Sequence, residues 1–146
     1  MTSTGPTADH TVNAFFAAFA ARDLDRLIEL IAEDATWNIP GDPAIVPWAG
    51  IRHGRETLRA GFFTPLFEAA EPLAFEILHT SAADGTVFVN GHFTYRFHPS
   101  GQLLDDEFVM RFTVAGGRVT SYRIFEDSLD LARVYTGDPT LGWVAA

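Results

Sequence analysis

Hydrophobic and polar positions alternate in four runs in the second half of the chain: Leu73–Ala82, Thr86–His98, Leu103–Ala115 and Arg118–Asp127. A period of two is that of a half-buried strand. The connectors Asp84-Gly85, Pro99-Ser100-Gly101 and Gly116-Gly117 are short and turn-rich, so the runs predict an antiparallel meander. The first half follows a helical period instead. Val12, Phe15, Phe16 and Phe19 predict one helix, and Leu24, Leu27, Ile28 and Ile31 a second that Asp23 can cap. A third covers Arg55–Glu68, where Pro65 requires a kink or an early end. Ala35–Ile39 reads as a short strand before Pro40-Gly41, and a Pro- and Gly-rich loop runs from Gly41 to Gly54. The expected fold class is α+β, a cone-shaped curved antiparallel sheet whose concave face is covered by helices at 10–21, 23–32 and 55–68. Helices laid over a curved sheet enclose a cup.

Composition narrows the class. With 146 residues the chain makes one domain with a real core. Residues 1–7 read as a flexible tail, 8–135 as the domain and 136–146 as a second tail, in which the bulk of Trp143 calls for a docking surface. Hydrophobic residues make up 47% of the chain, and 13 are Phe. A net charge of −9 excludes nucleic acid and anionic membrane as partners, because both need basic clusters. The absence of cysteine removes disulfide and thiolate chemistry. No apolar run approaches a membrane span and Met1–Thr7 is no signal peptide, so a cytoplasmic protein is expected.

The element order, with Glu33-Asp34-Ala35-Thr36-Trp37, the Gly50…Gly54 pair, Phe62-Phe63, Gly117-Arg118-Val119 and Phe125-Glu126-Asp127, resembles one superfamily. It contains ketosteroid isomerases, SnoaL-type polyketide cyclases, limonene-epoxide hydrolases and nuclear transport factor 2. The resemblance runs from about Val12 to Tyr135 and implies the cone-shaped fold. It does not imply one reaction, because the superfamily hosts many. Where ketosteroid isomerases carry their base, Tyr and Asp, this chain has Ile39, Phe15 and Phe108. Where limonene-epoxide hydrolases carry their Arg and two Asp, it has Gly91, Phe93 and Ile124. Asn38 alone is similar to the Asn that positions water in the second family. Neither mechanism is supported in its familial form.

Both families place the cognates of Phe93, Phe108 and Ile124 inside the cup, and strand parity extends each face by twos. The predicted ligand-binding residues are Phe15, Phe19, Trp37, Ile39, Trp48, His53, Phe62, Val89, Phe93, Tyr95, Asp106, Phe108, Met110 and Ile124. These residues either line a greasy pocket or simply fill the core. Catalysis, if present, falls by elimination to Glu126, with Asn38 or Tyr122 as hydrogen-bond donors. Glu126 is either a desolvated acid at the mouth of the pocket or a solvated strand end. Asp106 shares the pocket parity, but its place after the Pro99–Gly101 turn suggests exposure. Asp127 reads as a backbone cap for the segment Leu129–Tyr135.

His92 shares parity with Asn90, Thr94 and Arg96 on the opposite face, which is read as a homodimer interface; a β-bulge would turn it inward. No His-x-His, His-x-x-x-His or Glu-x-x-His spacing marks a metal site, and no cofactor is expected. Three readings stand. They are a cofactor-free isomerase, cyclase, dehydratase or hydrolase of a small hydrophobic substrate, a non-catalytic binder with the same cup, and a dimeric protein-interaction module.

Overall fold

A computed structural model describes residues 7–143. Helices α1 (Ala8–Ala20) and α2 (Leu24–Glu29) lead into strands β1 (Ile31–Ile39) and β2 (Gly50–His53). Helix α3 (Arg55–Leu58), a π-helical turn (Arg59–Phe63) and α4 (Thr64–Ala69) follow. The meander is β3 (Ala70–Ala83), β4 (Thr86–Phe97), β5 (Leu103–Ala115) and β6 (Arg118–Phe125), and α5 (Ser128–Thr136) comes last. One six-stranded sheet has the order β2-β1-β6-β5-β4-β3.

The meander stands as the alternation predicts. Buried and exposed residues alternate without a break from Val87 to Phe97 and from Leu103 to Met110. The sheet is antiparallel except at one seam, where β1 pairs parallel to β6. That seam changes two expectations. Ile31 was expected to close a helix at 23–32, but it pairs with Val119 as the first residue of β1, and the Val119 N–H donates to Leu30 O at 2.8 Å. The loop expected over 41–54 contains β2, which pairs antiparallel to β1.

Caps behave as their chemistry requires. The Asp23 carboxylate accepts from the Arg26 N–H at 3.2 Å, and that of Asp127 accepts from the Asp130 N–H at 2.9 Å. The third helical stretch neither kinks nor stops at Pro65. It widens into the π-helical turn just before it, where the Thr64 N–H and hydroxyl both donate to Arg59 O. The wider turn absorbs the hydrogen bond that proline cannot donate.

The helices cover the concave face, and aromatic rings fill much of the space beneath them. Phe15 packs edge-on to Phe112 at 5.4 Å, and Trp37 stacks on Tyr122 at 4.4 Å. Each such pair adds ~0.5–1.5 kcal/mol beyond its buried area. Trp143 does not dock within the chain: it is 70% exposed, with the Arg133 guanidinium 6.0 Å from its ring. Apart from Thr7, the N-terminal tail expected over 1–7 lies outside the described residues, as do residues 144–146 of the C-terminal one.

Gly91 is a packing requirement. A Cβ there would lie 2.5 Å from Glu76 O and 2.5 Å from Phe108 Cζ, so the Phe108 ring rests where a side chain would stand. Gly91→Ala should therefore destabilise the fold by about 1–3 kcal/mol through overpacking, read as a lower urea midpoint at unchanged slope.

Candidate functional site

Strand register decides which side chains meet. Trp37 pairs with Tyr122 and Tyr122 with Phe112, Met110 pairs with Ile124, and Phe93 pairs with Asp106. Each of these residues points to the concave side. All of them but Phe112 and Asp106 line a cavity of about 60 Å³. Its walls come from α1 (Phe15, Phe16, Phe19), β1 (Trp37, Ile39), Trp48, Phe62, Leu66 and Phe75. Phe93, Tyr95 and Phe97 of β4, Met110, and Tyr122, Ile124 and Glu126 complete it with Leu131 of α5. A single water needs ~10–15 Å³ on this scale, so the space holds several waters or a compact ligand. Most of the core is filled, and a small cavity remains.

Trp48 is held in place by an arginine. The Arg52 guanidinium donates to Pro47 O, Trp48 O and Ala49 O at 2.8, 2.9 and 2.6 Å, fixing the loop that carries the indole. Gly61 leaves room for that guanidinium, since a Cβ there would lie 2.6 Å from Arg52 Nε.

The polar groups of the cavity are few and close together. Asp106 is only 4% exposed, contrary to the exposure suggested by its position after the turn. Its place opposite Phe93 sets it on the concave face, well inside the strand. Its Oδ2 is buried and meets no N–H or hydroxyl donor, and the Glu126 carboxyl lies beside it. Burial, first of all, pushes the Asp106 carboxyl up from its ordinary value, while Glu126 and the Asp127 backbone N–H, as hydrogen-bond partners, hold it down. Glu126 is pushed up much further, by desolvation first and then by Asp106 as hydrogen-bond partner and as a neighbouring charge. Glu126 is partly exposed as a residue, yet its carboxyl is set deep enough for desolvation to dominate. Two carboxyls buried side by side repel one another when both are ionised, so the arrangement favours the protonated form, most strongly at Glu126.

Two phenols complete the polar set. Burial raises the pKa of both Tyr122 and Tyr95, with the Glu126 charge as a further cause in each. Both are hydrogen-bond donors rather than bases at neutral pH. The Trp37 indole N–H is buried and has no hydrogen-bond partner among the described residues.

Not every predicted residue joins the site. Asn38 lies between the inward Trp37 and Ile39, so it points to the outer face beside Arg123 and away from Glu126. His53 pairs with Thr36, and its Nδ1 lies 3.2 Å from Thr36 Oγ1 on an exposed edge. Val89, Asp106 and Phe108 are buried on the concave side but outside the cavity wall; the Phe108 ring packs between Phe75 and Phe93 at 5.5 and 5.7 Å. His92 is on the outer face, with Nε2 3.9 Å from Asp105 Oδ1. Phe16, Leu66, Phe75, Phe97 and Leu131 line the cavity without having been expected there. Parity carried two residues past Tyr95 would have found Phe97. Leu131 could not be found, because its helix leaves no long apolar period in the sequence.

With fold and site described, the family can be named. The SnoaL-like domain family matches residues 12–122, and the chain belongs to it. Among solved structures, a nuclear transport factor 2-like protein from Burkholderia xenovorans LB400 is 33% identical, covers 88% of this chain and 95% of its own, and superposes with a TM-score of 0.78. One from Burkholderia thailandensis E264 is 21% identical over 88% of this chain and 97% of its own, TM-score 0.77. A protein of ketosteroid isomerase-like fold from Catenulispora acidiphila DSM 44928, in complex with trimethylamine, is 18% identical over 92% and 97%, TM-score 0.71. No curated protein matches. Among the described residues no helix is long and apolar enough to cross a membrane.

The raised carboxyls predict the pH dependence of stability. A group that holds its proton more tightly in the folded chain favours folding while it is protonated. The contribution of Glu126 and Asp106 is therefore fully present below their ordinary values of 4.5 and 3.8, and is lost as pH rises through the raised ones. Urea unfolding across a pH series should show stability falling above about pH 4.5, by up to ~1.4 kcal/mol per pH unit for each whole proton. Glu126→Gln should flatten that slope. An identical slope in the variant would show that Glu126 is not the titrating group.

Proposed function

We propose that this SnoaL-like domain binds a small, neutral, hydrophobic molecule and acts on it by cofactor-free acid–base chemistry. The observation that carries the reading is Glu126 on the wall of an otherwise largely apolar cavity, with the buried carboxyl of Asp106 beside it. A protonated carboxyl in an apolar site donates to an oxygen that gains negative charge, and the carboxylate beside it keeps that proton in supply. Glu126, Tyr122 and the unpartnered Trp37 N–H make the cavity rich in donors, which favours a carbonyl or hydroxyl oxygen on the ligand. A second negative charge beside Asp106 would be repelled, so the ligand head is neutral. The reactions open to such a pair are isomerisation, cyclisation, dehydration and hydrolysis.

The test is a panel of neutral ketones, epoxides and alcohols, read first by binding and then by turnover. At least one member should bind and be converted, and Glu126→Gln should lower turnover by ~10²–10⁴-fold with binding nearly unchanged. Binding without turnover would favour the second reading, a ligand-binding protein with the same cup. That reading draws on Ile39, Phe93, Phe108 and Ile124, which are apolar where relatives place their catalytic groups. A panel without any binder would overturn both.

We infer further that the protein is a homodimer through the outer sheet face. No helix covers that face, and it exposes Phe88 (43%), Val109 (36%) and Phe125 (41%) beside His92, Thr94 and Arg96. An apolar centre with charged surroundings suits a protein interface. Light scattering should give twice the chain mass at micromolar concentration, and Phe125→Glu should give the single chain mass. A monomeric wild type would remove the dimer.

A further inference from the structure

The cup has an incomplete wall. On β4 and β5 every concave-facing residue from Val87 to Phe97 and from Leu104 to Phe112 is buried. Ile77, on the neighbouring β3, faces the same way opposite Gly91, yet it is 46% exposed. Helix α1 packs mainly over β4, β5 and β6, and meets this edge strand at Phe16 and Phe75. Between α1, α4 and β3 there is an open apolar groove of about 480 Å³. Its floor and sides include Ala17 and Ala20, small exposed residues of α1, with Pro72 and Ile77 of β3 opposite. One end is closed by Arg22, whose guanidinium donates to Phe67 O and Ala70 O and lies 4.9 Å from the centre of the Phe67 ring.

The groove and the inner cavity share walls. Phe16, Phe19, Leu66, Phe75 and Tyr95 line both. Phe16 and Phe75 touch across the partition, with ring centres 5.7 Å apart. The volumes are complementary as well. The inner space of about 60 Å³ suits a head group, whereas 480 Å³ lies within the usual ~300–1,000 Å³ of a ligand site.

We propose that the groove is the outer half of the ligand site. It takes the hydrocarbon tail of an elongated neutral molecule whose single oxygen-bearing head reaches Glu126, and the Phe16–Phe75 contact opens to let the chain through. This rests on the function proposed above and adds the class of ligand: a head-and-tail molecule rather than a compact one. Ala17 and Ala20 set the width of the groove, so they are its specificity-determining positions.

Calorimetric titration of phenol and 4-hexylphenol into the full chain tests this. Each buried methylene tightens binding by about fourfold, so the hexyl tail should improve affinity by at least about a hundredfold. Ala17→Phe, which fills the groove from an exposed helix position, should reduce that gain to within about threefold, and so should Ile77→Asp, which places a charge on its floor. Unchanged phenol affinity in either variant shows that the fold and the inner site survive. Loss of the gain in either variant supports the proposal. A tail gain below about threefold in the wild type, or a gain that survives in both variants, overturns it. Binding of phenol without a tail gain overturns the groove alone. Failure of both phenols to bind overturns the groove and the small-molecule reading together.

Discussion

The parallel seam between β1 and β6 is the contact on which the rest of the molecule depends. A four-stranded meander has two long edges and one face to bury, and it cannot bury that face alone. Pairing Trp37 with Tyr122 across the seam ties the N-terminal half of the chain to the last strand of the meander. The indole then stacks on the phenol at 4.4 Å, and α1 lays Phe15 against both Trp37 and Phe112. The seam also aligns the end of β6 so that Glu126 emerges beneath α5, whose start is capped by the next residue, Asp127. Remove the pairing, and the helices, the aromatic floor and the acid lose their common frame.

Much of the fold was legible because long strands carry a strong signal. Strict alternation over a dozen residues fixes both the strand and the face, and β4 and β5 read cleanly. The parallel seam was not legible, since Ile31 satisfies a helical stripe and a buried strand position equally well. Tertiary pairing with Val119 decided between them. β2 was hidden for a different reason. Four residues after a Pro-rich loop, with a mixed burial pattern, hold no period to read.

The site was legible to the same extent and no further. Parity leads to Phe93, Tyr95, Met110, Tyr122 and Ile124, strand residues that all line the cavity, and to Glu126 just past the end of β6. Parity also argued against Asn38, which stands one residue from two inward side chains, and the family likeness of that position outweighed it. Asp106 was misjudged from sequence distance to a turn. Depth depends on what covers a strand, and the cover there comes from the chain after β6. His53 failed with the loop that became β2.

The carboxyl pair is also the part of the structure that packing does not explain. A fold maintained for stability alone gains nothing from two acids in an aromatic core, where an apolar pair of similar volume is often neutral or stabilising by ~1–4 kcal/mol. Among the described residues Asp106 Oδ2 has no hydrogen-bond partner. Burying the acids therefore costs folding free energy, and the cost grows as pH rises and protons are lost. The surrounding positions Ile39, Phe93, Phe108 and Ile124 are buried and apolar. Glu126 and Asp106 are the exception to that pattern, and protonation lowers the cost of burying them side by side.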